Sequence, residues 1–436
     1  MAALPSTARP SVGVPRLGAV LPLPLGRGAR SQRGMKVMLL NQYYHPDIAA
    51  TAQLAADLGE DLARRGHEVT AIASARPYSG SGWRPLTARQ GGVRILRVPA
   101  TALGRATNAG RAIDYATFLG GMLAPALARP RPDVVVALST PPLVAAMGLL
   151  LKRLRGVRLV YWVMDLYPEV ALELGALRPG SRATRALARL ARTLVDRADA
   201  IVALDDAMRD RLIDSGAARE KIAVIDNWVD GDEIRPAPCE DNALRRELGL
   251  GARFTVAYSG NMGLGHDFDT LTAAMARLRD RDMHWLFIGE GPRRASLEAA
   301  VRALGVSHTF LGYRARAELP VSLTAAHASI VTLDAGLGGL LAPSKLYGIL
   351  AAGVPVVYVG PPTGRTVDVI RSHGVGVESR NGDATGLAAA IRSLHLDPGA
   401  RAEMGRRARD LFESRFTRAQ ALARHHDLLS RVVAGR

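Results

Sequence analysis

Short apolar runs alternate with amphipathic stretches along most of the chain. The amphipathic stretches, such as 109–128 and 142–154, repeat their apolar residues at helical spacing. The apolar runs have the length and composition of strands buried on both faces. From Met35 onward they include KVMLLNQ, HEVTAIAS, VRILRVP, DVVVALS and RLVYWVMD. This alternation predicts an α/β domain with a doubly wound parallel sheet over residues 35–230.

A second alternating series follows a proline-rich stretch. RPAPCED has the composition of an interdomain linker, which we place at 231–243. Beyond it, FTVAYSGNMG opens a further series, and we predict a second doubly wound domain over 244–410. The chain from 401 to 433 is helical by propensity and periodicity, with Leu411, Phe412 and Phe416 as candidates for burial. Two such sheets bind ligands at the carboxyl ends of their strands, so the predicted site is the cleft between the domains.

Three loops at strand ends of the second domain carry residue types that bind anions. Glycines allow a ligand to approach the backbone closely, and a helix that starts after a loop presents free amides to an anion. The third loop, DAGLGGLLAPSKLYG, adds the positive charge of Lys345 and predicts a phosphate cradle. An isolated loop of this kind is more often an ordinary turn, but three at successive strand ends favour a ligand site. The candidate residues are Gly260, Asn261, Gly263, His266, Gly289, Glu290, Gly291, Leu341, Ser344, Lys345 and Leu346.

Carboxylates and a histidine follow two strands of the first domain. Asp165 and Glu169, in VMDLYPE, are expected at the carboxyl edge of the sheet and are candidates for catalysis together with Lys345. Helix capping or solvation at a first turn would explain the same two acids without chemistry. His45 and Asp47 follow the first strand and are candidates for ligand contact, with a surface-loop histidine as the alternative.

Composition excludes several classes of protein. The chain has 57 Lys and Arg against 40 Asp and Glu, a formal charge of +17. The basic residues are spread along the chain without a nucleic-acid-binding signature, so a nucleic-acid binder is disfavoured. A dinucleotide-dependent oxidoreductase is also disfavoured, because NQYYHPD stands where G-x-G-x-x-G would follow the first strand. The single cysteine, Cys239, excludes an internal disulfide and a thiolate metal cluster.

Residues 1–34 differ from the rest of the sequence. They contain five prolines, five arginines and no acidic residue, and they lack helical or strand periodicity. We expect a disordered leader, with Met35 as a candidate for the true first residue. GAVLPLPLG is broken by proline and does not form the apolar core of a signal peptide. No long uncharged apolar run follows it, so we expect no membrane span.

Six segments in order resemble the retaining family 4 glycosyltransferases of GT-B fold, in particular those of colanic-acid and O-antigen synthesis. The resemblance runs from about Met35 to the C-terminus. Its carriers are MKVMLLNQYYHPDIAATAQLAADLGEDLARRGHEVTAI, VYWVMDLYPEVALELG, KIAVIDNWVD, YSGNMGLGHDFDTL, FIGEGPRRASL and PSKLYGILAAGVPVVYVG. The resemblance implies two Rossmann-like domains facing a cleft, and a C-terminal helix, 411–436, that crosses back to the first domain.

The resemblance also implies a reaction and its partners. A nucleotide-sugar donor, with UDP as the leading nucleotide, would be held by the second domain, and a glycan or polyprenyl-diphosphate-linked acceptor by the first. Asn108 and Arg111 begin a helix that leans toward the acceptor in this family, so they join His45 and Asp47 as acceptor candidates. We expect a cytoplasmic enzyme with no metal or other cofactor. For the amphipathic stretches, an ordinary core role and peripheral contact with anionic membrane both stay open.

This chain departs from the family pattern at the donor site. Two glutamates that many relatives carry before the AAG turn are replaced by Leu340 and Gly348, and the basic pair after the first strand of the second domain is missing. Lys345 is then the candidate for neutralising the diphosphate. The alternatives are another GT-B enzyme, such as a UDP-sugar 2-epimerase or a glycogen synthase-like transferase, and a non-catalytic paralogue.

Overall fold

The computed structural model describes residues 34–435 apart from 79, 81, 102, 104–107 and 279–281, and it leaves the side chains of 108, 109 and 111 undescribed. The predicted leader, 1–34, lies outside the described residues except for Gly34. The described chain forms two sheets, each covered by helices on both faces, which confirms the prediction of two doubly wound α/β domains.

The first sheet has eight strands among the described residues. They are β1 (Lys36–Leu40), β2 (Glu68–Ser74), β3 (Thr87–Gln90), β4 (Val93–Val98), β5 (Val134–Ala137), β6 (Arg158–Trp162), β7 (Ala200–Ala203) and β8 (Ile222–Val224). Their order is β3-β4-β2-β1-β5-β6-β7-β8, and every neighbouring pair is parallel except β3 and β4. Strand β3, TARQ, is polar and lies at the edge, so it has no apolar run and sequence patterns do not predict it. The helices are α1 (Ala50–Arg64), α2 (Asn108–Leu127), α3 (Val144–Arg155), α4 (Glu169–Glu173), α5 (Arg182–Arg197) and α6 (Asp206–Asp214).

The second sheet has six strands in the part of the chain that the structure describes, all parallel. They are β9 (Phe254–Ser259), β10 (Met283–Ile288), β11 (His308–Leu311), β12 (Ala328–Thr332), β13 (Val356–Val359) and β14 (Gly376–Ser379), in the order β11-β10-β9-β12-β13-β14. The central strands β10, β12 and β13 are buried along their whole length, as expected of parallel strands covered on both faces. The helices are α7 (Ala243–Glu247), α8 (Phe268–Met275), α9 (Arg294–Ala303), α10 (Leu319–Thr324), α11 (Lys345–Ala351), α12 (Arg365–His373) and α13 (Ala384–Leu396).

Two helices close the chain, α14 (Pro398–Arg415) and α15 (Arg418–Ala434). The prediction of one helix over 401–433 is wrong at its centre. Thr417 starts a new helix because its side chain accepts a hydrogen bond from the Gln420 amide, while the Gln420 side chain accepts one from the Thr417 amide. The sequence TRAQ carries this capping signal.

The break divides the two helices between the domains. Phe412 and Phe416 are buried in the core of the second domain, and α14 packs along α11. Leu422 and Leu429 of α15 are buried in the core of the first domain, against β5 and β6. The chain therefore crosses back to the first domain after Phe416 rather than at residue 411.

Candidate active site

A cavity of about 360 Å³ lies between the two domains. We call it the inner cavity. The first domain contributes the start of α1, and the segment 227–234 that leads into the second domain forms another side. The second domain contributes the loops that follow β9 and β11 and the beginning of α11. Strand ends of both sheets thus reach the cleft, as the doubly wound topology predicts.

Lys345 is one of three basic residues that line this cavity, the others being Arg314 and Arg316. Its Nζ lies 3.3 Å from Nε2 of His266 and 4.7 Å from the ring centroid of Tyr258. Gly260 makes room for it, because a Cβ there would stand 2.6 Å from Lys345 Cε. Among the described residues Lys345 has no carboxylate partner, and burial lowers its pKa to about 7. A partly buried ammonium without a counter-ion is a place where an anionic ligand binds favourably.

His266 holds Lys345 in place. The Nδ1 of His266 lies 2.7 Å from the carbonyl oxygen of Thr332, which can only accept a hydrogen bond. Nδ1 is therefore assigned the proton, and Nε2 is left to accept from the Lys345 ammonium. Burial and the nearby Lys345 lower the pKa of His266 to about 3, so the ring is neutral and adds no repulsion of its own.

The glycines of the GEGP loop serve packing between loops. Gly289 has φ +138°, and a Cβ on it would lie 2.0 Å from the Gly260 carbonyl oxygen. Gly291 has φ +151° and would place a Cβ 2.4 Å from the Met262 oxygen. Neither glycine lines the inner cavity, and the Glu290 carboxylate pairs with Arg294. These positions shape the loop Gly260–Met262, and only indirectly the cavity.

The glycine-rich loop before α11 faces the first domain, so the predicted phosphate cradle is wrong for its glycines. The Leu166 amide donates to the Leu340 carbonyl over 2.8 Å, and Asp165 forms an antiparallel bridge with Leu341. A Cβ on Gly336 would meet the Glu173 carboxylate. Leu340 itself is 4% exposed and belongs to an apolar cluster. Close contact between the domains therefore accounts for the glycines of this loop.

Some of the other donor candidates line the inner cavity and some do not. Asn261, Gly260, Ser344 and Lys345 line the inner cavity. Leu346 is 1% exposed and its side chain packs in the core of the second domain, so its predicted part in donor binding stays a prediction that only its backbone could fulfil. Gly263 lies beside the Asn261 amide and outside the cavity lining.

Asp165 is partly buried between the domains. Its amide donates to Ser139 Oγ over 3.1 Å, and its carboxyl has no hydrogen-bond partner among the described residues. Burial raises the pKa of Asp165 to about 6. Glu169, at the first position of α4, is exposed. Neither residue lines the inner cavity, but the bridge places Asp165 beside Leu341, four positions before Lys345.

The acceptor candidates near β1 have structural partners. The Asp47 carboxylate is buried, accepts from the Tyr78 amide over 3.1 Å and pairs with Arg84 at 2.7 Å. His45 is exposed, and its carbonyl accepts from Arg97 over 2.7 Å. The predicted contacts of Asn108 and Arg111 fall on side chains outside the described part of the chain.

The sequence patterns did not predict that the loop after β11 forms one wall of the inner cavity. Tyr313, Arg314 and Arg316 line the inner cavity, and Arg316 lies 3.5 Å from Glu233 of the interdomain segment. The signal was available, since this loop also follows the carboxyl end of a parallel strand. It lacks glycines after Gly312, and a search for glycine loops therefore passes over it.

The described residues contain no group of three or more His, Cys, Asp or Glu side chains arranged to hold a metal ion. No helix among them is long and apolar enough to cross a membrane. The expectation of no metal requirement stays a prediction.

Two protein-family descriptions match the chain one after the other. The glycosyl transferase 4-like domain matches residues 50–228, and glycosyl transferases group 1 matches residues 241–411. Two doubly wound domains with a cleft between them are the GT-B fold, and the two family matches identify the chain as a glycosyltransferase. The chain belongs to the family 4 glycosyltransferases, which confirms the family that its sequence resembles.

Relatives extend along most of the chain. WcaI of Escherichia coli (strain K12), a colanic acid biosynthesis glycosyl transferase by name, is 26% identical over 84% of this chain and 93% of its own length. The glycosyltransferase WbjE of Pseudomonas aeruginosa is 26% identical over 69% of this chain and 75% of its own. The crystal structure of Anabaena HepE in complex with UDP and glucose has a TM-score of 0.70 at 18% identity, covering 91% of this chain and 99% of that one.

Proposed function

We propose that this glycosyltransferase moves a sugar from a UDP-sugar to a glycan or lipid-linked acceptor in bacterial surface polysaccharide synthesis, with retention of configuration. The likeness to WcaI supports the pathway, and the UDP complex of HepE supports the nucleotide. The observation that carries the proposal is the ammonium of Lys345 in the inner cavity, which has no carboxylate partner among the described residues.

Lys345 would neutralise the diphosphate as it leaves. Departure of the nucleotide places negative charge on the diphosphate, and a preorganised cation in a water-poor site stabilises that charge strongly. Helix α11 has only seven residues, so the argument rests on the side chain rather than on the helix dipole. His266 sets the direction of the ammonium before the donor arrives.

The rest of the inner cavity suits a nucleoside. Ile288, Tyr313 and Leu319 supply apolar and aromatic surface for a base. Ser259 and Ser344 supply hydroxyl groups for the ribose and phosphates. Gly348 leaves the ribose side without the carboxylate that many relatives carry, because it has no side chain.

Asp165 is the carboxyl group that we propose to act on the sugar. Its backbone bridge to Leu341 supports this role, because it brings the first domain against the loop that leads into Lys345. A double displacement would use it as a nucleophile, whereas front-face departure would need no strong base. The anomeric proton coupling of the product, followed by NMR during turnover, tests retention.

Donor binding and turnover test the proposal together. Thermal unfolding is measured with UDP, GDP, ADP and their sugars, because a ligand at a hundred times its dissociation constant adds about 2.7 kcal/mol of stability. We expect one nucleotide, UDP, to raise the midpoint, and transfer of labelled sugar to follow with a bacterial lipid extract as acceptor. Absence of any shift would instead favour a non-catalytic paralogue, for which Leu340 and Gly348 already argue. An epimerised UDP-sugar as the product would identify the epimerase alternative.

A lipid-linked acceptor requires access to a membrane surface. Large apolar side chains are exposed on the first domain, among them Trp83 at 55%, Leu86 at 53%, Leu103 at 62% and Ile113 at 46%. We propose that these exposed side chains make peripheral contact with anionic membrane. Co-sedimentation with phosphatidylglycerol vesicles, and little with phosphatidylcholine vesicles, is the expected result. We also propose turnover without a metal, which retention of full activity in EDTA would support.

A further inference from the structure

A second cavity, of about 650 Å³, opens beside the inner cavity. We call it the outer cavity. One side comes from the first-domain loops that follow β1, β2 and β4, and the other comes from the GEGP loop of the second domain. Tyr78, Asn261 and Tyr313 line both cavities, so the two are adjacent.

Arg76 is the free cation of the outer cavity among the described residues. Its guanidinium stacks on Trp83, with Cζ 3.8 Å from the ring centroid, and Nη1 donates to the Gly82 carbonyl over 3.3 Å. The Nε atom is buried without a hydrogen-bond partner in the described chain, and no carboxylate pairs with the group. The ring covers one face of the guanidinium, so its N–H edge is what a ligand would meet.

The acids of the outer cavity already have partners. The Asp114 Oδ1 accepts from the Thr101 hydroxyl over 2.8 Å and from the Leu103 amide over 2.9 Å. Glu290 is paired with Arg294. Neither carboxylate is bonded to Arg76, which leaves the guanidinium to recruit an anion from a ligand.

Side-chain amides and aromatic rings complete the wall. The amides of Gln42 and Asn261 have no hydrogen-bond partner among the described residues, although Gln42 is only 9% exposed. Tyr43 and Tyr78 pack edge to face, with ring centroids 5.2 Å apart. Amide groups pair with hydroxyls, aromatic rings offer apolar surface, and arginine pairs with phosphate, so the wall has the chemistry of a site for a charged sugar.

We infer that the outer cavity binds the acceptor as a saccharide bearing an anionic group, with Arg76 on the anion and Gln42 and Asn261 on hydroxyls. The inference rests on the proposed function, because a transferase needs its acceptor next to its donor. The shared residues Tyr78, Asn261 and Tyr313 supply that adjacency.

The test compares two probes at saturating UDP, so that neither reports on the inner cavity. Glucose 1-phosphate and neutral methyl α-glucoside are titrated by saturation-transfer NMR into wild type, Arg76→Gln, Arg76→Lys and Arg89→Gln. Arg89 is an exposed arginine of β3 that lines neither cavity and is the matched control. We expect wild type and Arg89→Gln to prefer the phosphorylated probe by about tenfold, Arg76→Lys to keep part of the preference and Arg76→Gln to lose it.

Each other result has a distinct meaning. Equal binding of both probes by wild type, or the same loss in Arg89→Gln, would overturn the inference. Unchanged UDP binding and unfolding midpoint in Arg76→Gln show that the loss is local. Wild type that fails to bind UDP but selects the phosphorylated probe through Arg76 would overturn the proposed function and leave the anion site standing.

Discussion

The Nζ of Lys345 lies 3.3 Å from Nε2 of His266, so two side chains that are distant in sequence meet in the second domain. His266 follows β9 in sequence and Lys345 begins α11, 79 positions later. A neutral histidine orients the ammonium without neutralising it. The charge of the protonated lysine therefore stays available for an anion.

Replacing Lys345 with methionine should weaken UDP binding without lowering the stability of the protein. Methionine fills similar space without a charge, so the variant loses the buried cation that has no carboxylate partner. We expect UDP to bind about 10- to 100-fold more weakly, as for the loss of a charge-assisted hydrogen bond, while the unfolding midpoint stays unchanged or rises. Isothermal titration and thermal unfolding measure the two effects.

Lys221→Met is the matched control. Lys221 lies on the surface, where its Nζ donates to the Asp196 carbonyl over 2.7 Å. UDP affinity should be unaffected there. An equal loss in both variants would mean that general charge, and not the position of Lys345, determines binding.

UDP binding should take up a proton above neutral pH. The pKa of Lys345 is lowered from 10.5 to about 7 in the folded protein, and a bound diphosphate favours the charged form. UDP affinity should therefore fall as pH rises above about 7. Titration calorimetry at pH 8, in two buffers of different ionisation enthalpy, should detect proton uptake in wild type and none from this group in Lys345→Met.

The free energy of unfolding should rise with pH over the range in which UDP affinity falls. Between pH 7 and 10.5 the unfolded chain holds more protons at Lys345 than the folded chain, so this group makes the free energy of unfolding rise with pH. Below about pH 7 the lysine is charged in both the folded and the unfolded state. The whole cost of burying that charge then lowers the stability of the folded protein. Urea unfolding of wild type at pH 7 and 9 should show this rise relative to Lys345→Met; parallel changes in both proteins would contradict it.

Asp165 and Glu169 should differ in their effect on turnover. Asp165→Asn keeps the backbone bridge to Leu341 but removes the charge of a partly buried carboxyl, so we expect kcat to fall about 100-fold with UDP affinity unchanged. Glu169→Gln changes an exposed group and should have little effect. If the ionised form of Asp165 acts, kcat falls as pH drops through about 6. A larger loss in Glu169→Gln would reverse the assignment.

Arg365 should hold the two domains together. Its Nε lies 2.6 Å from Asp226 Oδ1, and Tyr347 of α11 donates to the same oxygen over 3.1 Å. Asp226 is buried and the Arg365 side chain is 10% exposed, so Arg365→Met would leave a buried carboxylate without its ion-pair partner and should lower the free energy of unfolding by about 3–5 kcal/mol. Arg235→Met breaks the exposed pair with Asp232, and its loss should stay under about 1 kcal/mol. Urea unfolding of both variants checks the difference.

Gly289→Ala should destabilise the fold through a backbone clash. Its Cβ would stand 2.0 Å from the Gly260 carbonyl oxygen, at a φ of +138°, and we expect a loss of about 2–4 kcal/mol. Gly305→Ala tests strain alone, since its φ is +67° and its Cβ would meet nothing within 4 Å, so about 1 kcal/mol is expected. Equal losses would show that φ, and not the close approach of the loops, makes Gly289 necessary.

The sequence by itself determined the fold of each domain. Strand and helix periodicities are local properties, and the buried runs at β5, β10 and β13 could be read directly from them. Asn261 follows β9 and Lys345 lies after β12, so the parallel topology places both at the carboxyl edge of the second sheet. Even the break before α15 has a local signal in the Thr417 capping box.

Only the tertiary structure decided which way the loops face and which charges are already paired. Gly336 and Leu340 contact the first domain, and Asp47 pairs with Arg84. The sequence does not reveal these contacts, because the partner residues lie far away along the chain and leave no periodic pattern. The loop after β11 lines the inner cavity, and this too depends on contacts between residues that are distant in sequence. Local hydrophobic pattern sets where strands and helices form, whereas the pairing of buried charges and the direction of loops depend on long-range contacts that exist only after the two domains pack.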